Sequence, residues 1–356
     1  MSYATLHRVS VYCIAAAFGC CSALAQQKSY KVRDAADAAK SDANAAVSSS
    51  TAGPTGLPTW TGGFTYKGTA YSYTMVGSDP TKTCSTTVVP VYIVPIKLIY
   101  SDGSVFDPTA TMINDTISAV TAVELSPVFS STDFTAGSVD LGVTQIVDAY
   151  QRANFWNDLS SSCAYHVLLG TPTVLSTQTF NVPKSGGKTE PGPVPPYLRA
   201  TLAQNFIDKN ITGPVFAANP QIAPGAFTIF LTYNVFPGNA YGYHSVYGSS
   251  VATGLTYAYV SYLQPWTQAI DADISTLVHE VGEWMDDPYI NNHTPCGILE
   301  NGDPLNSAIW AVQANGRTWH PQDLAMIGYF YQTPVPSVNG WLTFRNTYTT
   351  ACANGS

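Results

Sequence analysis

Residues 271–287 place the strongest demand on any fold this chain adopts. Ile270, Ile274, Leu277, Val278, Val281 and Met285 recur at helical spacing, within about ±60° of one line on a helix. The opposite side carries His279, Glu280 and Glu283. Such a helix must press its apolar stripe into a core while presenting ionisable groups elsewhere. Pro288 ends it, since proline cannot continue the helical hydrogen-bond ladder. Gly282 costs about 1 kcal/mol relative to alanine in a helix interior, which marks a place where another segment approaches closely. Asp286 and Asp287 fall in the last turn, where the helix dipole disfavours negative charge by some tenths of a kcal/mol each. Hydrogen bonds to the loop at Asn291 and Asn292, or a bound Ca²⁺, would compensate them.

The polar side reads His279-Glu280-Val281-Gly282-Glu283, an HExxE. The whole chain has five glutamates, Glu124, Glu190, Glu280, Glu283 and Glu300, and six histidines. Random placement would give this pattern roughly 0.001 times in such a chain, so it is more informative than a five-residue motif usually is. His279 and Glu283 lie one above the other at four-residue spacing. The tract resembles that of zincin-type metallopeptidases, in which two helical ligands one turn apart hold Zn²⁺. There the glutamate after the first ligand takes a proton from the metal-bound water. The resemblance makes His279 and Glu283 metal ligands and Glu280 the general base, with Glu283 where a second histidine usually stands. A carboxylate ligand makes the ion a weaker Lewis acid and its identity more open. The third ligand is expected to be Glu300, in the acid tract 299–304, as a downstream glutamate is in the gluzincin group. Asp303, His293 and His320 compete with it. His320 or His244 could instead donate to a developing oxyanion.

The remaining composition sets the compartment and the partners. His7 and Arg8 precede an apolar run and Ala23-Leu24-Ala25, the pattern of a secretory signal cleaved after residue 25. Its removal takes Cys13, Cys20 and Cys21 and leaves Cys84, Cys163, Cys296 and Cys352, an even set for an oxidising compartment. Three pairings are open; Cys84 with Cys163 and Cys296 with Cys352 keeps each bridge within one half. The net charge of −8 becomes −9 when Arg8 leaves, so nucleic acid and anionic membrane surfaces are poor partners. No later run is long enough to span a bilayer. An extracellular or periplasmic protein is expected, without a membrane anchor once the signal is gone.

Residues 26–58 are rich in alanine, serine and aspartate and read as a disordered tether or propeptide. Residues 59–356 read as a single α+β module, β-rich over 59–200, with the metal-bearing helix in 201–356. Alternating aromatics at Phe64, Tyr66, Tyr71 and Tyr73 and the run 86–100 are strand signals, Pro90 and Pro95 favouring an edge or bulge. Residues 226–236 and 255–263 are further strands, and 183–196 a glycine and proline loop. Helices are expected at 144–155, 197–207 and 321–331.

A wider resemblance, over 60–352, is to a family of secreted bacterial proteins. It is carried by residues 75–80 (MVGSDP), 151–156 (QRANFW), 242–245 (GYHS), 279–288 (HEVGEWMDDP) and 320–324 (HPQDL). A fainter one, limited to the HExxE helix and its following acid, is to plant phosphate-induced secreted proteins of the cell wall. Two functions follow: a zinc peptidase acting on a peptide or protein substrate, or a non-catalytic extracellular or wall-associated module whose metal is structural. The two differ in coordination, because a catalytic site keeps one position open and a structural site closes it with a fourth side chain. A glycosidase would need Glu280 and Glu300 to face one sugar across a cleft. There is no GxSxG, P-loop or GxGxxG.

Overall fold

A computed structural model describes residues 56–159, 163–194, 196–248, 253–264, 272–306, 308–333 and 342–346. The expected signal, and the expected tether up to residue 55, lie outside them. Among the described residues no helix is long and apolar enough to cross a membrane.

The protein is α+β, with strands predominating. Its central sheet has seven strands: β1 (Val91–Tyr100), β2 (Val105–Phe106), β3 (Thr173–Val174), β4 (Gln178–Val182), β5 (Phe227–Tyr233), β6 (Tyr243–Tyr247) and β7 (Leu255–Tyr262). The order is β4–β1–β5–β7–β6, with β2 and β3 added to β1. Neighbours from β4 to β7 run parallel, and β6 returns antiparallel along β7. Strands from both sides of residue 200 share this sheet, so the two parts of the chain are woven into one unit.

Parallel strands covered on both faces lose the alternation of apolar and polar residues, because water reaches neither side. Every residue of β5 and β7 is accordingly buried. The two-residue period survives as a choice between cores. Ile229, Leu231, Ala258 and Val260 enter the core that holds the helices α1 (Ile146–Asn154) and α2 (Ser275–Asp286). Phe230, Tyr257 and Tyr259 enter the other, against Ile207, Ile211 and Phe216. Pro95 sits inside β1, not at an edge. It lies where β3, paired up to Ile93, gives way to β4, paired from Ile96.

Two expected helices are mostly extended. Leu198–Leu202 pairs with Gly187–Pro191 and with Val235–Pro237, and only Gln204–Ile207 of that stretch is helical. Gly187–Pro191 therefore also makes a strand of part of the expected loop. In 321–331 only Ile327–Phe330 is helical, while Gln322 and Ala325 bridge to Ile309 and Thr343. Cys84 is disulfide-bonded to Cys163, beside the parallel pair Thr86–Val89 and His166–Leu169. Cys296 is disulfide-bonded as well, and Cys352 lies outside the described residues.

All twelve residues of α2 are buried. Leu277, Val278, Val281, Trp284 and Met285 pack into the first core, where Trp284 stacks on Phe227 of β5 with ring centroids 4.1 Å apart. Gly282 does admit a close neighbour: a Cβ there would stand 2.2 Å from Leu324 Cδ1. Leu324 thereby seats the 321–326 segment against the helix. Gly282→Ala is expected to destabilise the protein by about 1–3 kcal/mol in urea unfolding, against the ~1 kcal/mol that helix propensity would return. In combination with Leu324→Ala the two costs should add to less than their sum; strict additivity would remove this contact as the cause.

Candidate metal centre

The polar side of α2 is as buried as its apolar side, and what covers it makes the site. One wall is the edge strand β6, reached because Gly242 has no side chain: a Cβ there would lie 2.5 Å from Thr276 Cγ2 and 2.9 Å from Glu280 Oε1. This closeness sets His244, one strand residue beyond Tyr243, over the helix. The other wall is the loop 299–306. Gly302 passes so near the helix that a Cβ would stand 2.5 Å from His279 Nδ1, and its N–H donates to Glu283 Oε1 at 3.0 Å.

Two groups of ligand-type atoms result. His279 Nε2 lies 3.1 Å from Glu283 Oε1 and 3.7 Å from Asp303 Oδ1. His244 Nδ1 lies 3.5 Å from Glu280 Oε2 and 3.6 Å from Glu283 Oε2. In each group the three ligand atoms fall within 4.8 Å of one another. His244, His279, Glu280 and Glu283 are all no more than 4% exposed. Glu300 is 4% exposed too and lies beside Glu283; among the described residues no amide or hydroxyl donates to its carboxylate oxygens or to Asp303 Oδ1.

The hydrogen bonds around the rings fix which nitrogen is available. Gln322 Nε2 donates to Gly302 O at 2.7 Å, which turns Gln322 Oε1 to His279 Nδ1 at 3.1 Å. A neutral His279 therefore carries its proton on Nδ1 and directs the Nε2 lone pair at Glu283 and Asp303. A lone pair facing two carboxylate oxygens is repulsive unless a proton or a cation lies between them. Bonds of roughly 2.1 Å in a tetrahedron would set neighbouring ligand atoms roughly 3.4 Å apart. Three of the four separations, 3.5 to 3.7 Å, suit that geometry, while the fourth, His279 Nε2 to Glu283 Oε1 at 3.1 Å, lies between it and a charge-assisted hydrogen bond of about 2.8 Å.

With protons alone, the electrostatics are polarised. Burial works against protonation of both rings, yet His244 is pushed up to about 10 by hydrogen bonds with Glu280 and Glu283. His279 is pushed up to about 10 by the charges of Glu283 and Glu280. Burial raises Glu283, but His279 and His244 hold it far below the ordinary carboxylate range. Burial raises Glu280, Glu300 and Asp303, and the charge of Glu283 adds to it. A cation would displace these protons. The donor set of imidazoles and carboxylates fits Zn²⁺ or Mn²⁺.

The sequence-derived residues separate on this frame. His279, Glu280, Glu283 and His244 converge. Asp303 completes the His279 group, whereas Glu300, expected as third ligand, is in neither group of converging atoms and lies beside Glu283. Glu280 and Glu300 are both buried, so they do not face a sugar-binding cleft. His293 is exposed on the short strand His293–Thr294. His320 points elsewhere: Nδ1 lies 2.7 Å from Asp273 Oδ2, and its backbone N–H donates to Asp273 Oδ1 at 2.8 Å. The calcium expectation gains no support, because all four oxygens of Asp286 and Asp287 accept from amides. Gln151, Asn154 and Asn301 donate to Asp286; the backbone N–H groups of Asn291 and Asn292 donate to Asp287. Burial raises the two carboxyls to about 7 and about 6. No local spacing marks Gln322 or Gly302 as a site residue, though Gln322 lies in the 320–324 tract.

Gln322→Met keeps the volume but removes the acceptor for His279 Nδ1–H. Metal affinity in chelator competition should fall about 10- to 100-fold; an unchanged affinity would dismiss Gln322 as the residue that orients the ring. The hydrogen bond to Asp273 raises His320 above its ordinary value, against burial. The stability it contributes is full below pH ~6.5 and is lost as pH rises through the raised value. The melting difference between wild type and His320→Gln should therefore be largest in acid and shrink in base, with metal content unaltered. A loss of metal would return His320 to the centre.

No protein family, no curated protein and no solved structure matches the chain.

Proposed function

We propose that the protein is a secreted metalloprotein in which a divalent ion, held by His279, Glu283 and Asp303, fastens helix α2 to the loop 299–306. In this reading the module is non-catalytic and the metal is structural. The observation that carries it is the His279 Nε2 lone pair, directed by Gln322 and Gly302 at two carboxylate oxygens in the interior. Burial of the donors favours a structural role over a hydrolytic one, since a peptide bond has to reach a catalytic ion. Three side chains converge there, and a second group of three adjoins them through Glu283. The Cys84–Cys163 bridge supports an oxidising compartment, and with it secretion.

A second reading, the zincin-like peptidase, is favoured by one observation: Glu280 directly follows a ligand-type histidine and sits in the adjoining group, which shares Glu283 with it. It would take the proton of a metal-bound water, with His244 beside the developing charge and a peptide or protein as substrate.

The test is elemental analysis of the purified secreted chain, with melting curves before and after chelation. The structural reading expects bound Zn²⁺ or Mn²⁺, its loss in His279→Ala, a lower melting temperature in the chelated protein, and no cleavage of a quenched peptide library. Cleavage that disappears in Glu280→Gln while metal is retained would establish the peptidase instead. Absence of metal after reconstitution with Zn²⁺ and Mn²⁺ would overturn both.

A further inference from the structure

The same construction occurs twice, and the two copies share one carboxylate. His244 Nε2 lies 3.2 Å from the backbone oxygen of Asp287, which can only accept. A neutral His244 therefore carries its proton on Nε2 and turns the Nδ1 lone pair to Glu280 Oε2 and Glu283 Oε2, at 3.5 and 3.6 Å. The His279 group takes the other oxygen of Glu283, Oε1. Glu283 thus divides its two oxygens between two histidines, each locked by an acceptor on its far side.

We propose that the centre is binuclear: Glu283 bridges one divalent ion at His279 and Asp303 to a second at His244 and Glu280. This rests on the reading of the His279 group as a metal site. The charges support two ions over one. Glu280, Glu283, Glu300 and Asp303 can supply four negative charges around two neutral imidazoles, with Glu300 buried beside Glu283 and, among the described residues, given no amide or hydroxyl donor. One dication leaves two charges of the four to be met by protons or by a second cation. Two dications neutralise the set, Glu300 included. A bridging carboxylate holds two ions roughly 3.5–4 Å apart. The neighbouring Asp286 and Asp287 are satisfied by amide donors and need no cation.

The deciding experiment is metal stoichiometry of the full secreted chain, stripped and reloaded with Mn²⁺, combined with electron paramagnetic resonance. Two ions per chain with the signature of a spin-coupled pair are expected. His244→Ala and the near-isosteric Glu280→Gln should each halve the content to one ion and replace the coupled signal by that of an isolated Mn²⁺. If His244→Ala fails to fold, Glu280→Gln and the wild-type count still decide. One ion in wild type, unchanged in Glu280→Gln, would overturn the second site while leaving the single-metal reading intact. No bound ion would overturn both.

Discussion

Four carboxylates and two imidazoles packed together out of water are the constraint around which this protein is built. Each ionised carboxylate in such a place costs several kcal/mol unless a partner of opposite charge is present. Among the described residues neither lysine nor arginine pairs with these carboxylates. Compensation falls to protons on the imidazoles and carboxyls, or to metal ions that displace them. The polar residues of α2 are consequently not a solvated face but a second interior. The elements that close it, β6 and the loop 299–306, are held by contacts in which a glycine replaces any larger residue.

The central sheet makes this arrangement possible. With both faces covered, β5 and β7 form a rigid floor for the apolar side of α2, fixed by the stacking of Trp284 on Phe227. The antiparallel turn back into β6 then carries His244 over the helix instead of away from it. At the far end of α2, Asp286 gathers amides from α1 and from the loop that also bears Gly302 and Asp303. Asp286 and Asp287 break the helix-dipole rule because they fasten three separate segments to one helix end.

Much of this was legible in the sequence, and the illegible parts have a common cause. The stripe on α2 and the pairing of His279 with Glu283 depend on spacing within one helix, so they could be read directly. The close approach implied by Gly282 followed from its cost in a helix. Partners from outside the helix could not be ranked by spacing: Asp303 and Glu300 differ by three residues on one loop, and only the path of the loop past Gly302 brings Asp303 to His279. Residues 198–202 looked helical because local pattern does not reveal two flanking strands that claim their backbone. In 321–331 the leading proline and the apolar spacing fitted a helix, but the segment is drawn out by bridges to Ile309 and Thr343 and by Leu324 filling the space at Gly282.

The glutamate at position 283, where a second histidine would be usual, becomes intelligible once β6 is in place. A histidine there would present one free nitrogen to one neighbour and would have to satisfy its other nitrogen elsewhere. A carboxylate has two oxygens set apart by a fixed angle. In this fold one meets His279 from the same helix and the other meets His244 from the edge strand. The substitution lowers the Lewis acidity of any ion bound there and in exchange ties sheet, helix and loop to a single side chain. A chain that needed only a strongly polarising ion would gain nothing from this exchange. One that needs three layers held together gains the contact that joins them.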